Sequence, residues 1–151
     1  MELNDETLRF IREHCKDDVR NLALQAPKYP GVDMPVALTQ IAGRQAAAEK
    51  IPSWHEEEGI LYPRHLSLEQ CSSEATARYK ASIIPESSSG TLTDLTGGFG
   101  IDCAFLSQKF HHVTYVERQE VLCEIASHNF PLLGLNHIRI ENKDGIRHLQ
   151  E

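Results

Sequence analysis

"TLTDLTGGFGID", residues 91–102, places an apolar, threonine-rich run ahead of three glycines in four positions, with an aspartate on either side. The run Thr91 to Leu95 has strand character, and "IDCAFLSQKF" (101–110) continues as a helix. A glycine turn between a strand and a helix lets backbone approach a nucleotide-like ligand at the carboxyl end of the strand. Downstream the alternation repeats: "HVTYVE" (112–117) as a strand, "RQEVLCEIASHNFPLLG" (118–134) as a helix, "IRIEN" (138–142) as a strand. Alternating β and α of this length predicts a parallel sheet.

Upstream the texture is helical. "NDETLRFIREHC" (4–15) sets Leu8, Ile11 and Cys15 at helical spacing behind Asn4 as a cap, and "DDVRNLALQ" (17–25) adds Val19 and Leu22 after two acids. "KYPGVD" (28–33) breaks the chain before the alanine-rich helix "MPVALTQIAGRQAAAEKIP" (34–52), which has Pro35 in its first turn and Pro52 past its end. "GILYPRHLSLEQ" (59–70) reads as an extended segment. "CSSEATARYKASII" (71–84) reads as a helix capped by Ser72, with Ala75, Tyr79 and Ile83 or Ile84 along one side. "PESSSG" (85–90) is a surface turn or linker. The resulting organisation is a helical region over 1–85, then over 86–151 an α/β unit holding the βαβαβ half of a Rossmann-like sheet.

Composition sets outer limits. The 151 residues carry a net charge of −7, divided evenly: 7 Lys/Arg against 11 Asp/Glu in residues 1–60, and 8 against 11 in 61–151. Neither half offers the clustered cations that phosphate neutralisation needs. The polar N-terminus and the absence of a long apolar run argue against a leader or a membrane span, so the expected location is the cytoplasm. Cys15, Cys71, Cys103 and Cys123 form no C-x-x-C pair, which leaves no sequence basis for a metal site and reads as reduced thiols.

The acids around the glycines discriminate between ligands. A dinucleotide fingerprint would need Gly98, Gly100 and a small residue at 103, where Cys103 stands. Asp102, in the first turn of the following helix, would repel a diphosphate. A ligand with positive charge and no phosphate suits Asp94 and Asp102 better, and S-adenosylmethionine carries a sulfonium and an ammonium. Glu117 closes the second strand, 17 residues past Gly100, near the place where such units hold ribose hydroxyls. Asp144, after the third strand, is placed to accept from an adenine amino group.

"DLTGGFGID", "VERQ" and "IENKDG" together resemble motifs I to III of class I S-adenosylmethionine-dependent methyltransferases. The segment "QIAGRQAAAEKIPSWHEEEGILYPRHLSLEQCSSEATARYKAS" resembles the helical N-terminal region of a bacterial group of these enzymes in which a THUMP-like domain follows the catalytic domain. The resemblance implies S-adenosylmethionine as cofactor. It implies contacts at Asp94, Thr96, Gly97, Gly98, Phe99, Gly100, Asp102, Glu117, Arg118 and Asp144, with Gln70 and Ser72 reaching in from the preceding segment. RNA is the acceptor it suggests, met through regions outside this chain. Enzymes of this class have about seven strands, with an Asn/Asp-Pro-Pro type loop after the fourth. The sequence therefore reads as a truncated N-terminal part, inactive alone, with its catalytic residues unassigned and its first strand exposed to self-association.

Two other readings remain at this level: an NAD-dependent oxidoreductase fragment, and a helical interaction module joined to a degenerate nucleotide fold. His111 and His112 point to opposite faces of a strand and do not share a ligand. Trp54 and Tyr62 read as interdomain packing more readily than as a base-stacking platform, because no cations are interleaved with them. Glu56 to Glu58 read as a solvated face.

Overall fold

A computed structural model of the protein describes residues 2–86 and 90–151. Part of the turn expected over 85–90 thus lies outside the described residues. Helix α1 (Asp5–Glu13) starts at Asn4, whose side chain accepts the Thr7 amide at 2.8 Å. Its inward face is Thr7 and Phe10, while Leu8 is 39% exposed, so the expected stripe through Leu8 and Cys15 is displaced around the helix. The reason is polar as well as apolar: the Thr7 hydroxyl accepts the Asp33 amide at 2.9 Å, which turns that side of α1 toward the chain entering the third helix.

Helix α2 (Val19–Leu24) is capped by Asp18, and α3 (Met34–Lys50) by Asp33, with Pro35 in the first turn, where its missing N–H costs nothing. Phe10, Leu22, Met34, Ala37 and Ile41 form a small apolar cluster among these three helices. Two short helices follow, α4 (Pro52–Glu56) and α5 (His65–Gln70), and then α6 (Glu74–Ser82).

Two local expectations are corrected here. Residues 65–70 are helical rather than extended, and only the strap over 60–64 lacks regular structure. Ser73, not Ser72, caps α6, accepting the Thr76 amide at 3.2 Å. The side of α6 that carries Ala75, Tyr79 and Ile83 faces solvent: Tyr79 is 68% and Ile83 65% exposed, while Glu74 and Ala77 point inward. Glu74 faces the core because its carboxylate accepts from both the amide and the hydroxyl of Ser53 and pairs with Arg78.

The sheet is parallel, in the order β1-β2-β3, from β1 (Thr91–Asp94), β2 (His112–Glu117) and β3 (Ile138–Asn142). Helices α7 (Ile101–Ser107) and α8 (Glu120–Leu132) make the two crossovers, and α9 (Gly145–Gln150) follows β3. This is the α/β fold predicted from the sequence, helices first and a three-stranded parallel sheet after them. Register places Asp94 beside Tyr115 and Glu117 beside Asn142. Among the described residues, β1 pairs on one side only.

The main core does not stop at residue 85. Ala47, Ile51, Trp54, Tyr62, Leu68 and Ala77 belong to the same buried cluster as Phe99, Ile101, Tyr115, Phe130 and Ile138. The strap is fixed from both sides by buried amides. Gln40 on α3 accepts the Tyr62 amide at 2.8 Å and donates to its carbonyl at 2.9 Å. Asn129 on α8 does the same for Leu61, both bonds 2.8 Å. Side chains thus satisfy backbone groups that a neighbouring strand would otherwise have to meet.

Candidate functional site

The carboxyl ends of β1 and β2 converge on the glycine turn. The Gly97 amide donates to the Val116 carbonyl at 2.8 Å, and the Gly100 amide to the Gly97 carbonyl at 2.9 Å, which folds the turn back over the sheet. Gly98 and Gly100 take left-handed conformations, with φ of +56° and +93°. Gly97 is glycine for a different reason: a Cβ there would collide with the buried Tyr115 ring. The Tyr115 hydroxyl donates to the Gly98 carbonyl and so ties the turn to β2.

Glu117 joins the glycine turn to the loop after β2. One of its carboxylate oxygens accepts the Gly98 amide at 3.2 Å and the other the Gln119 amide at 2.6 Å, with the residue only 8% exposed. Each oxygen retains acceptor capacity. Asn142 on β3 donates to the Glu117 and Arg118 carbonyls, both at 3.0 Å, and holds this corner from below. No sequence signal marked Asn142, because its partners are backbone atoms of a neighbouring strand.

Asp94 ends β1 with its carboxylate accepting the Thr96 amide at 3.0 Å. Burial pushes its pKa above the ordinary aspartate value, and the nearby Asp102 and Glu117 carboxylates push the same way. Asp102 differs from the sequence expectation. One oxygen accepts from Lys80 at 3.0 Å and from the Ser72 hydroxyl at 3.0 Å, and Lys80 also reaches Ser72 at 3.1 Å. A cation of this chain, carried by α6, therefore already meets Asp102, while its other oxygen is buried without a partner.

These groups surround a cavity of about 340 Å³, within the range of small-molecule sites. Of the residues singled out from the sequence, Gln70, Ser72, Asp94, Thr96, Gly97 to Gly100, Asp102 and Glu117 line it. Arg118 and Asp144 do not. Arg118 is exposed beyond the turn, and Asp144 caps α9, accepting the Ile146 and Arg147 amides at 2.9 and 3.2 Å. Ser67, Cys71, Ile101, Gln119 and Leu122 complete the wall without having been foreseen. No Lys or Arg is among the lining residues, although Lys80 stands directly behind Asp102.

Phe99 backs the turn, edge-on to Trp54 at 5.1 Å between ring centroids and tilted against Tyr62 at 6.0 Å. Trp54 and Tyr62 are both buried, so they are packing residues and present no face to a base. Burial raises the Cys103 thiol to about 12, which removes it as a nucleophile. Among the described residues no cluster of three or more His, Cys, Asp or Glu has metal-binding geometry, and no helix is long and apolar enough to cross a membrane.

No family model matches the sequence, and no curated protein matches it. Among solved structures the chain is similar to a "putative methyltransferase" from Porphyromonas gingivalis W83, at 27% identity with a TM-score of 0.76. That similarity covers 99% of this chain and 38% of the other, so the chain spans well under half of its neighbour's length. An rRNA methylase from Streptococcus thermophilus matches over 50% of this chain and 45% of its own, at 21% identity and a TM-score of 0.41, too partial to add to the comparison. The fold is methyltransferase-like over nearly the whole chain.

Proposed function

We propose that this chain forms the S-adenosylmethionine-binding part of a methyltransferase. The observation that carries the reading is the lining of the cavity: three carboxylates, Asp94, Asp102 and Glu117, converge on a glycine turn, and no basic side chain shares the wall with them. A diphosphate would meet net negative charge there, since Lys80 pairs with Asp102 alone, whereas a sulfonium and an ammonium are attracted to carboxylates such as Asp94, whose pKa is raised by burial first and by the neighbouring Asp102 and Glu117 second. The residues present thus fit S-adenosylmethionine better than NAD. When bound, the cofactor supplies the electrophilic methyl group. The chain's own residues bind and orient it: Glu117 accepts from the ribose hydroxyls, and the glycine turn, free of side chains at 97, 98 and 100, lets the backbone approach the ligand closely.

RNA is the acceptor suggested by the resemblance to methyltransferases with a THUMP-like domain, and a cytoplasmic enzyme with free thiols is consistent with it. With a net charge of −7 this chain contributes the cofactor pocket, and the cationic surface for RNA is assigned to other parts of the enzyme. No residue is assigned to the methyl acceptor.

Calorimetric titration with S-adenosylhomocysteine and, separately, NAD tests the reading. Binding of the first and not the second is the expected result. NAD binding alone would turn the assignment to an oxidoreductase, and binding of neither would favour a non-catalytic interaction module.

A further inference from the structure

A second and larger cavity, of about 560 Å³, lies between α1, α3 and residues 58–62 at the start of the strap, separated from the candidate cofactor pocket by the Tyr62–Phe99 contact. Its wall is mainly aliphatic, from Leu8, Ile11, Ile60 and Leu61, and two guanidinium groups, Arg12 and Arg44, share it. Among the described residues neither guanidinium group has a hydrogen bond or an ion pair, the Arg44 contact with the His55 ring being made by its backbone carbonyl. Glu58, which also lines the cavity, pairs with neither of them. Tyr62 lines the same cavity, is 2% exposed, and its hydroxyl has no hydrogen-bond partner, although such groups are nearly always satisfied when buried.

We infer that this cavity is a small-molecule site for a ligand with an apolar body and a carboxylate, distinct from the cofactor pocket and independent of the function proposed above. The aliphatic wall removes the body of such a ligand from water, and the planar guanidinium groups match a carboxylate through paired N–H donors. A nucleic acid fits less well. The one aromatic in the wall is buried, so no face is free for base stacking, and two cations are few for a phosphate backbone. A neutral or cationic apolar ligand would leave both arginines uncompensated.

Decanoate and decylammonium, with equal tails and opposite charges, are the probes. In the full 151-residue chain, decanoate should shift the backbone amide resonances of Ile11, Gly59 and Leu61, leave those of Gly97 to Gly100 in place, and bind at least tenfold more tightly than decylammonium. The double variant Arg12→Gln/Arg44→Gln should lose at least tenfold in decanoate affinity. Leu8→Glu, at an exposed position of the rim, should weaken decanoate as well and serves if the double variant fails to fold. Equal binding of the two probes, unchanged decanoate affinity in either variant, or shifts confined to the glycine turn would overturn the inference.

Discussion

Gly97 and Tyr115 are in such close contact that the glycine turn has no room for a single added carbon above the Tyr115 ring. Tyr115 is fully buried, and its hydroxyl is committed to the Gly98 carbonyl, so the ring has no free direction in which to retreat. Gly97→Ala should therefore destabilise the fold by about 1–3 kcal/mol, the usual cost of overpacking. A denaturant midpoint equal to that of the parent protein would show that the ring moves more easily than its contacts imply.

Glu117→Ala should weaken S-adenosylhomocysteine binding by about 1.5–3 kcal/mol, the scale of lost charge-assisted hydrogen bonds. The structure adds a second expectation. Because Glu117 also accepts the Gly98 and Gln119 amides, the variant should exchange both amide protons faster than the parent does. Calorimetry and hydrogen exchange read the two effects separately, and unchanged affinity would remove Glu117 from the ribose.

Asp94 gives a pH-dependent prediction. Burial, followed by repulsion from Asp102 and Glu117, raises its folded-state pKa, so the ionised carboxylate opposes folding at neutral pH. That penalty is present above the raised folded value. It falls away as pH drops through that value, and is gone below the ordinary aspartate range near about 4. Asp94→Asn, which keeps an acceptor for the Thr96 amide, should be more stable than the parent at pH 7 and no more stable at pH 3.5. Thermal unfolding at both pH values checks it, and a variant destabilised at pH 7 would contradict the assignment.

The outer edge of β1 has no partner among the described residues, and its Thr91, Leu92 and Thr93 are residues that pair readily. The 151-residue chain is therefore expected to self-associate through this edge. Thr93→Lys should reduce the association, because a charge on an open edge discourages pairing. Sedimentation velocity across a concentration series decides the matter: a monodisperse monomer, with Thr91 to Asp94 amides as protected as those of α3, would show the edge to be covered.

The parts legible in the sequence are those whose determinants are local. The glycine turn, the three strands and the caps at Asn4 and Asp33 follow from residue type and spacing over a few positions. What escaped depends on partners far along the chain. Lys80 meets Asp102 only because α6 packs against α7, and Ser72 is drawn to the same carboxylate instead of capping its own helix. Gln40 and Asn129 look like ordinary polar residues on helices until the strap is threaded between them. Asp144 had two local uses open to it, and the helix cap took precedence over the cavity. The division at residue 85 follows a change of texture in the sequence, but apolar side chains from both sides of it fill one core.

Trp54 is the sequence's single tryptophan, 3% exposed and edge-on to Phe99 of the glycine turn. The indole is thus a native optical probe of that turn. Its emission registers any displacement of Phe99 without a dye or a label. Rapid mixing with a nucleoside ligand would then time the response of the turn directly, in the unmodified protein, from the light of one side chain.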